Sequence, residues 1–540
     1  MIYPLYTAPF VIYAVLAGFS LMHSRIMRSD FLKSMRFFEP ALYIFILLIG
    51  TPFFLNASLP EPHNFALRKL ELFLGMIYAC FIAVLIIRTV RSFLKEKIFE
   101  TEDLSRVFKM IVVFFAAVYI SMSMWFNYAN QPTGDEPIYL MVSHSILYDF
   151  DLDLKNNYEH KDYSRFYKKE LESHELSING RIISYHPVWF SVIIAPFYLI
   201  LLRLGVTLFI NIAAAFLCGF IFLFLEKSGI KRKNSIVTAG ITGLSMPVFM
   251  YFNQITTEVI SAVLITGALT QIIYYKKRWL PGGFACFMVF LMHLRNIPVI
   301  AAIIIIAFIE YRKEIITFVK YAALQAGGAV ILFLGNYFIY GVLVPRQSKE
   351  EIPVDRAFTF NSDGFLGLFL DQEFGILFYT PVFSVIFAGL FFMHSRDKKL
   401  FYYMLLIFLP VYIMSAMWFE WRGGGGSSPR FFVPVILFFS VSAAFAVDKL
   451  KSIRARNVFY TLAGAGLAVS FVISLVPWFR WNKGKGENWI LGFISKFINV
   501  DITVLFPALW GGGSSAAVII WIFMLIFVNI YMISADRHRI

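Results

Sequence analysis

The chain has 540 residues, of which 59% are hydrophobic and 15% charged, with a formal net charge of +14 and a mean hydropathy of +0.70. An ordinary soluble domain carries about 25% charged residues, so a soluble fold is excluded for most of the length, and the residue-by-residue alternation of a membrane barrel is missing. The basic excess points away from nucleic acid, because in a chain this apolar Lys and Arg gather in cytoplasmic loops. The apolar blocks have roughly the 20 residues that a bilayer core requires. They predict an all-α, polytopic transmembrane helical bundle of about 13–15 spans, each satisfying its own backbone in lipid.

The start, Met1-Ile2-Tyr3-Pro4, lacks a basic region and a cleavage site, so residues 6–22 read as a first retained span. Further spans are expected at 41–56, 70–87 and 107–126. Arg25, Arg28, Lys33 and Arg36 follow the first, and Arg88, Arg91, Lys95, Lys97, Arg106 and Lys109 lie between the third and fourth, which assigns both loops to the cytoplasm. The 127–185 stretch then lies outside. It is acidic, with Asp135, Glu136, Asp149, Asp151, Asp153, Glu159, Asp162, Glu170, Glu172 and Glu175. Inside clusters recur at Lys276-Lys277-Arg278, Arg312-Lys313, 396–399, 449–456 and 537–539, leaving 253–258, Arg295-Asn296, 341–375, 418–430 and 478–515 outside.

Two regions are irregular. The apolar runs 187–202 and 206–225 would return the chain outside, yet Lys227, Lys231, Arg232 and Lys233 demand the cytoplasm, so an odd number of crossings is required. The short 187–202 run, with Pro196 inside it, is read as interfacial or only partly inserted. The stretch 281–310 holds two apolar runs of about 13 residues around His293-Leu294-Arg295-Asn296-Ile297-Pro298, each short for a crossing. Arg295 is then either a cation below the outer surface that needs a partner or a water-filled cavity, or a snorkelling helix-end residue. Cys80, Cys218 and Cys286 sit in apolar runs without a metal or disulfide pattern. Gly423 to Gly426 and Gly511 to Gly513, each followed by two serines, read as turns and fit no phosphate loop. No fixed-period repeat and no appended soluble domain is evident.

The sharpest local feature is Thr133-Gly134-Asp135-Glu136-Pro137, beyond the outer end of the fourth span. Adjacent carboxylates at a membrane face suit proton abstraction, one taking a hydroxyl proton while the other orients the nucleophile or holds a cation. Burial would raise one of them toward basic usefulness. Residues 138–148 read as an amphipathic helix with Ile138, Met141, Val142, Ser145 and Ile146 on one side, suited to the interface. The acids of Tyr148-Asp149-Phe150-Asp151-Leu152-Asp153 either approach a divalent cation, without the Gly and terminal Glu of a calcium loop, or form a hydrated edge. His186, in Tyr185-His186-Pro187, could donate to a phosphate oxygen. Arg295, Arg346, Arg422 and Arg430 fall outside, where guanidinium groups match phosphate geometry or simply anchor beside Trp418 and Trp421.

Taken in order, Gly134-Asp135-Glu136-Pro137, His186-Pro187, Pro247-Val248-Phe249-Met250-Tyr251 leading to Glu258, Leu294-Arg295-Asn296-Ile297-Pro298, Leu370-Asp371-Gln372-Glu373-Phe374-Gly375 and Ser427-Ser428-Pro429-Arg430-Phe431 resemble the GT-C superfamily of integral membrane glycosyltransferases. That superfamily includes the protein O-mannosyltransferases and the lipid A aminoarabinose transferase. The resemblance covers 107–450, with 127–186 as the extracytoplasmic loop, 1–106 as additional N-terminal helices and 451–540 as C-terminal helices. It implies a polyprenyl-phosphate-linked sugar donor and inversion at the anomeric carbon. The acceptor would be a lipid, a glycan or a protein. It also implies Asp135 as base, Glu136 as its helper or a cation ligand, and His186, Arg295 and Arg430 as donor-phosphate contacts. Asp149, Asp151, Glu258 and Asp371 are candidate contacts to substrate or to a divalent cation; no other cofactor is expected.

The chain departs from the superfamily pattern in placing three spans before the acidic motif and in lacking a C-terminal soluble domain. A transporter or flippase of a lipid-linked saccharide would carry mid-span charges and repeat symmetry. An O-antigen ligase or polymerase would put basic residues in a large late loop. The absence of eukaryotic accessory domains and of a processed signal favours a bacterial plasma membrane, with the site on its periplasmic or extracellular face.

Overall fold

The computed structural model describes residues 103–171, 176–276, 279–345, 357–482, 484–510 and 515–537. The spans expected at 5–22, 41–56 and 70–87, together with Cys80, Arg346 and the 511–514 turn, lie outside the described residues. The chain divides into two compact units, Met1–Tyr128 and Ala129–Ile540. The first contributes one described helix, α1 (Leu104–Ala129), a long apolar run that reaches the boundary.

Among its described residues the second unit is mainly helical and holds one two-stranded hairpin. Its main helices are α2 (Glu136–Tyr148), α3 (Val188–Lys227), α4 (Arg232–Leu244), α5 (Thr257–Tyr274), α6 (Trp279–Met292), α7 (Ile297–Tyr311), α8 (Ile315–Tyr340) and α9 (Ser362–Leu370). They continue as α10 (Ile386–Arg396), α11 (Lys398–Met417), α12 (Ile436–Lys449), α13 (Ile453–Leu475), α14 (Trp489–Ile498) and α15 (Ser515–Arg537). Among the described residues, nine helices are long and apolar enough to cross a bilayer, and Trp279–Met292, Pro381–Arg396 and Trp489–Ile498 are shorter apolar helices. The protein is an all-α, multi-pass membrane protein.

The loops assigned to the cytoplasm meet at one end. Asp448 Oδ1 accepts from the Lys231 amide at 3.0 Å and from Asn234 Nδ2 at 2.9 Å, and Oδ2 accepts from Arg396 Nη1 at 3.2 Å. Glu310 pairs with Lys276 and Lys399 at 2.5 Å each and accepts from the Tyr403 hydroxyl at 2.8 Å. Asp135, His186, Glu258, Arg295 and Arg430, from segments assigned to the opposite side, gather elsewhere, as described below. α6 and α7 each run between these two groups, from Lys276 to Arg295 and from Arg295 to Glu310, so each short apolar half is a connection in its own right.

The crossing problem at 187–233 resolves at a break inside α3. Leu201 and Leu202 leave helical geometry (φ −139°, ψ 24° and φ 51°, ψ −136°), and the chain folds back so that the Phe197 and Phe209 rings stack at 4.2 Å. Only glycine fits at Gly205, where a Cβ would fall 2.0 Å from the Phe197 carbonyl oxygen. His186, before the first half, lies beside Asp135, and Arg203, just after the break, lies beside Glu136. Residues 188–200, about 20 Å long as a helix, run along α2 from Tyr139 to His144, where the Tyr198 hydroxyl meets the imidazole at 3.2 Å, and after the break Arg203 reaches back to Glu136. The longer apolar half is 203–227.

The 136–188 loop is a folded layer. Ile138, Met141, Val142, Leu154, Tyr163, Ile183 and Val188 pack with Tyr340 of α8 into one core, and strands β1 (Leu176–Ile178) and β2 (Arg181–Ile183) close it as an antiparallel hairpin. α2 differs from the interfacial amphipathic helix expected at 138–148. Residues 136–145 are buried all round, because the polar side that the sequence offers to water is covered by α3: Ser143 Oγ donates to the Ser191 carbonyl at 3.0 Å and Ser191 Oγ to that of Tyr139 at 3.1 Å.

Candidate functional site

Gly134, at φ +59°, makes the left-handed turn that delivers Asp135 to the start of α2. Asp135 stands at the N-cap but forms no side-chain cap; its carboxylate turns outward to Arg430. Arg430 Nη2 donates to Asp135 Oδ2 at 2.6 Å, across 295 residues of sequence, and Arg430 Nε donates to Glu258 Oε1 at 2.5 Å. Arg295 Nη2 bonds the same Glu258 oxygen and reaches Thr257 Oγ1 at 3.3 Å. Glu258 is fully buried, in the first turn of α5. The turn at Leu294–Asn296 carries Arg295, and Asn296 Nδ2 fixes it to α5 by donating to Ser261 Oγ at 3.0 Å.

Two guanidinium groups and two carboxylates thus form one buried chain, Asp135–Arg430–Glu258–Arg295. Asp135 is the most open member, with 24% of its side chain exposed. Among the described residues, Nη1 of Arg430 and Nη1 of Arg295 have no hydrogen-bond partner, and the Arg295 guanidinium lies 5.1 Å from the Phe431 ring centroid. His186 Nε2 is buried without a hydrogen bond, 3.9 Å from Asp135 Oδ1, and the imidazole lies 5.3 Å from the Tyr139 ring.

The two carboxyls of the dipeptide are driven apart. Burial acts to raise both. At Asp135 the adjacent Arg430, helped by His186 and Arg295, overcomes it and holds the carboxyl well below the usual carboxylate range. At Glu136 burial prevails over Arg203 and Arg480, and the carboxyl sits above its usual value. Burial, reinforced by the two arginines, also keeps the His186 imidazole below its ordinary value despite Asp135, so this histidine is a neutral hydrogen-bonding group at neutral pH. Separation of neighbouring titratable groups in this way is common where acid and base roles are divided.

Glu136 does not join the Asp135 carboxylate. It faces Arg203 Nη2 at 3.8 Å, and Arg203 Nη1 donates to the Asn130 carbonyl at 2.8 Å. Asp149 and Asp151 lie at the exposed edge of the loop. Asp149 Oδ2 accepts from Asn157 Nδ2 at 2.6 Å, and Asp151 Oδ1 accepts from Ser145 Oγ and the Asp153 amide at 3.0 Å each. Among the described residues no group of three His, Cys, Asp or Glu is arranged to hold a metal ion.

Asp371 is taken up by backbone. Its Oδ1 accepts from the Glu373 and Phe374 amides at 2.8 and 2.9 Å, and its Oδ2 from those of Leu509 and Trp510 at 2.8 and 3.4 Å. Glu373 accepts from the Gly484 and Gly486 amides at 3.1 and 2.7 Å. The motif therefore holds the 482–510 segment, and that segment in turn holds the turn before Arg430: the Asn482 amide donates to the Gly425 carbonyl at 2.7 Å and the Ser427 amide to that of Arg480 at 2.9 Å. Arg422 lies away from the ion chain, its guanidinium 3.5 Å from the Trp510 ring centroid.

The sequence reading passed over Arg203 and Arg480. Arg203 is a lone cation inside a long apolar run, itself a mark of a buried, partnered charge; Arg480, among aromatics in Pro477–Arg480, carries no such mark. Beside the ion chain lies a small open recess bordered by Tyr185, Trp189, His293, Leu294, Asn336 and Tyr340. The same short segments line both, since Tyr185 precedes His186 and Leu294 precedes Arg295.

The apolar helices and the buried ion chain make this a multi-pass membrane protein with a buried polar cluster. Comparison with protein-family models, with curated proteins and with solved structures found no match.

Proposed function

We propose that the protein is a membrane glycosyltransferase that moves a sugar from a polyprenyl-phosphate-linked donor to an acceptor hydroxyl at the extracytoplasmic face of a bacterial plasma membrane. The observation that carries this reading is the convergence of Asp135, from the early acidic motif, with Arg430 and Arg295, from late basic motifs, in one partly open cluster. A carboxylate beside cations with spare donors is what a phosphate-leaving group transfer requires. The acceptor oxygen attacks the anomeric carbon, the carbon–oxygen bond to phosphate breaks on the opposite face, and the hydroxyl proton passes to Asp135. The sugar inverts, and the prenyl phosphate leaves with one more negative charge, which Arg430 and Arg295 stabilise.

Arg430 bonded to Asp135 makes that carboxylate a weak base. A donor phosphate that engages Arg430 would loosen the Asp135 contact and restore basicity when the donor is in place. His186 would donate to the same phosphate in its neutral form. Glu136, turned to Arg203, serves to hold α2 against α3.

Mass spectrometry of lipids that copurify with the protein tests the donor, and transfer from a prenyl-phosphate sugar by the Asp135→Asn variant tests the base. Transfer at the parental rate by a normally inserted Asp135→Asn protein would sink the assignment. Substrate movement across proteoliposomes with no glycosidic product would establish a transporter instead.

A further inference from the structure

α14 (Trp489–Ile498) has an apolar face that is half covered and half bare. On a helical wheel Phe493, Phe497, Ile490, Ile494, Ile498 and Leu491 share one broad arc, and Ser495 and Lys496 stand opposite. Ile490 and Leu491, at the start of that arc, are buried in the protein, whereas Phe493 and Phe497, one and two turns on, are 61% and 83% exposed. The bare strip continues through Val500, Val504 and Leu505.

What meets this strip is indicated by its neighbour. The Phe506 ring lies 5.2 Å from that of Trp521, whose Nε1 donates to the Leu505 carbonyl at 3.0 Å. Trp521 belongs to the first two turns of α15, a candidate span with only 17% of its apolar window buried, so the strip is continuous with a lipid-facing surface. Tryptophan is a side chain that gathers where head groups meet acyl chains. At its other end α14 is rigidly held, since its N-cap Asn488 donates to the Gln372 carbonyl at 2.8 Å and to the Tyr379 hydroxyl at 2.7 Å.

We infer that α14 and the 499–506 turn lie flat in the membrane interface, with Phe493, Phe497, Val504 and Leu505 inserted among acyl chains of the leaflet on the Arg430 side. The partner is the lipid surface itself. The helix then fixes the depth of the 482–510 segment, and with it the turn that presents Arg430. The inference stands independently of any glycosyl transfer.

The unmodified protein, reconstituted in phosphatidylethanolamine and phosphatidylglycerol vesicles containing a phosphatidylcholine with a diazirine on the upper part of an acyl chain, provides the test. After irradiation, peptides from 489–506 are expected to take label within about threefold of peptides from α15, while those from 155–170 take about tenfold less. Phe497→Lys, at a fully solvated or lipid-facing position that no internal contact depends on, should lower labelling of 489–506 by about fivefold and leave α15 unchanged. Background labelling of 489–506 in the unmodified protein would overturn the inference, as would intermolecular cross-links through Lys496 that replace lipid labelling and reveal a second copy over the strip.

Discussion

Asp135-Glu136 and Asp371-Gln372-Glu373 look alike in sequence, and the fold treats them in opposite ways. Asp135 meets a guanidinium that it shares with Glu258, and part of its side chain stays open. Both oxygens of Asp371 and of Glu373 are occupied by backbone amides of residues more than 100 positions away or of the motif's own turn. A carboxylate held by mobile side-chain cations can exchange partners; one saturated by amides of a folded segment cannot without unfolding it. The first arrangement suits chemistry and the second suits architecture.

Substitutions that separate rate from stability test this contrast, and the largest effect is expected at Asp135. Asp135→Asn should lower single-turnover transfer from a prenyl-phosphate sugar by about 10²–10⁴-fold, with an unchanged gel-filtration profile. Asp371→Asn should leave the rate per folded molecule within tenfold. If the two fall equally, the contrast fails. Arg430→Lys, which cannot bond two carboxylates through a planar fork, is expected to raise the donor KM by about tenfold or more, read from initial rates over a donor titration.

Stability tests the second motif. Glu373→Gln strands a buried glycine amide or forces a poorer acceptor on it, at a cost of about 1–3 kcal/mol, seen as a lower thermal midpoint in detergent.

The smallest effect is the pH dependence of the dipeptide. Asp135 has a folded value below its ordinary 3.8, so its stabilisation is present above that value and is lost as pH falls through the lower folded one. Glu136 has a folded value above its ordinary 4.5, so its contribution is fully present below 4.5 and is lost as pH rises through the raised one. As pH rises toward 3.8 the parent should therefore gain on Asp135→Asn, and as it rises above 4.5 the parent should lose ground to Glu136→Gln, measured as differences in thermal midpoint. Parallel slopes for the two variants would show that the neighbouring carboxyls share one environment.

Much of the fold was legible because lipid imposes long apolar helices and basic loops leave a sided trace. The clusters around Glu310 and Asp448 join loops that the Lys and Arg count alone places together. The odd crossing at 187–233 was also legible as a contradiction, and the break at Leu201 and Leu202 removes it. The burial of α2 was not, because its amphipathic pattern does not reveal that Ser143 and His144 face a second helix instead of water. The meeting of Asp135, Glu258, Arg295 and Arg430 was legible as a shared side of the membrane, without the pairing. The saturation of Asp371 had no sequence trace at all, since backbone amides are present at nearly every residue.

The chain of alternating charges also bears on which anions can enter it. With each guanidinium charge already balanced by a carboxylate and only its Nη1 spare, a free anion from solution must compete with a tethered one whose local concentration far exceeds its own. Simple phosphate should therefore be a poor occupant. An anion carried on a membrane anchor is concentrated in the same way as the carboxylates it displaces, which turns anchorage itself into a criterion of selection.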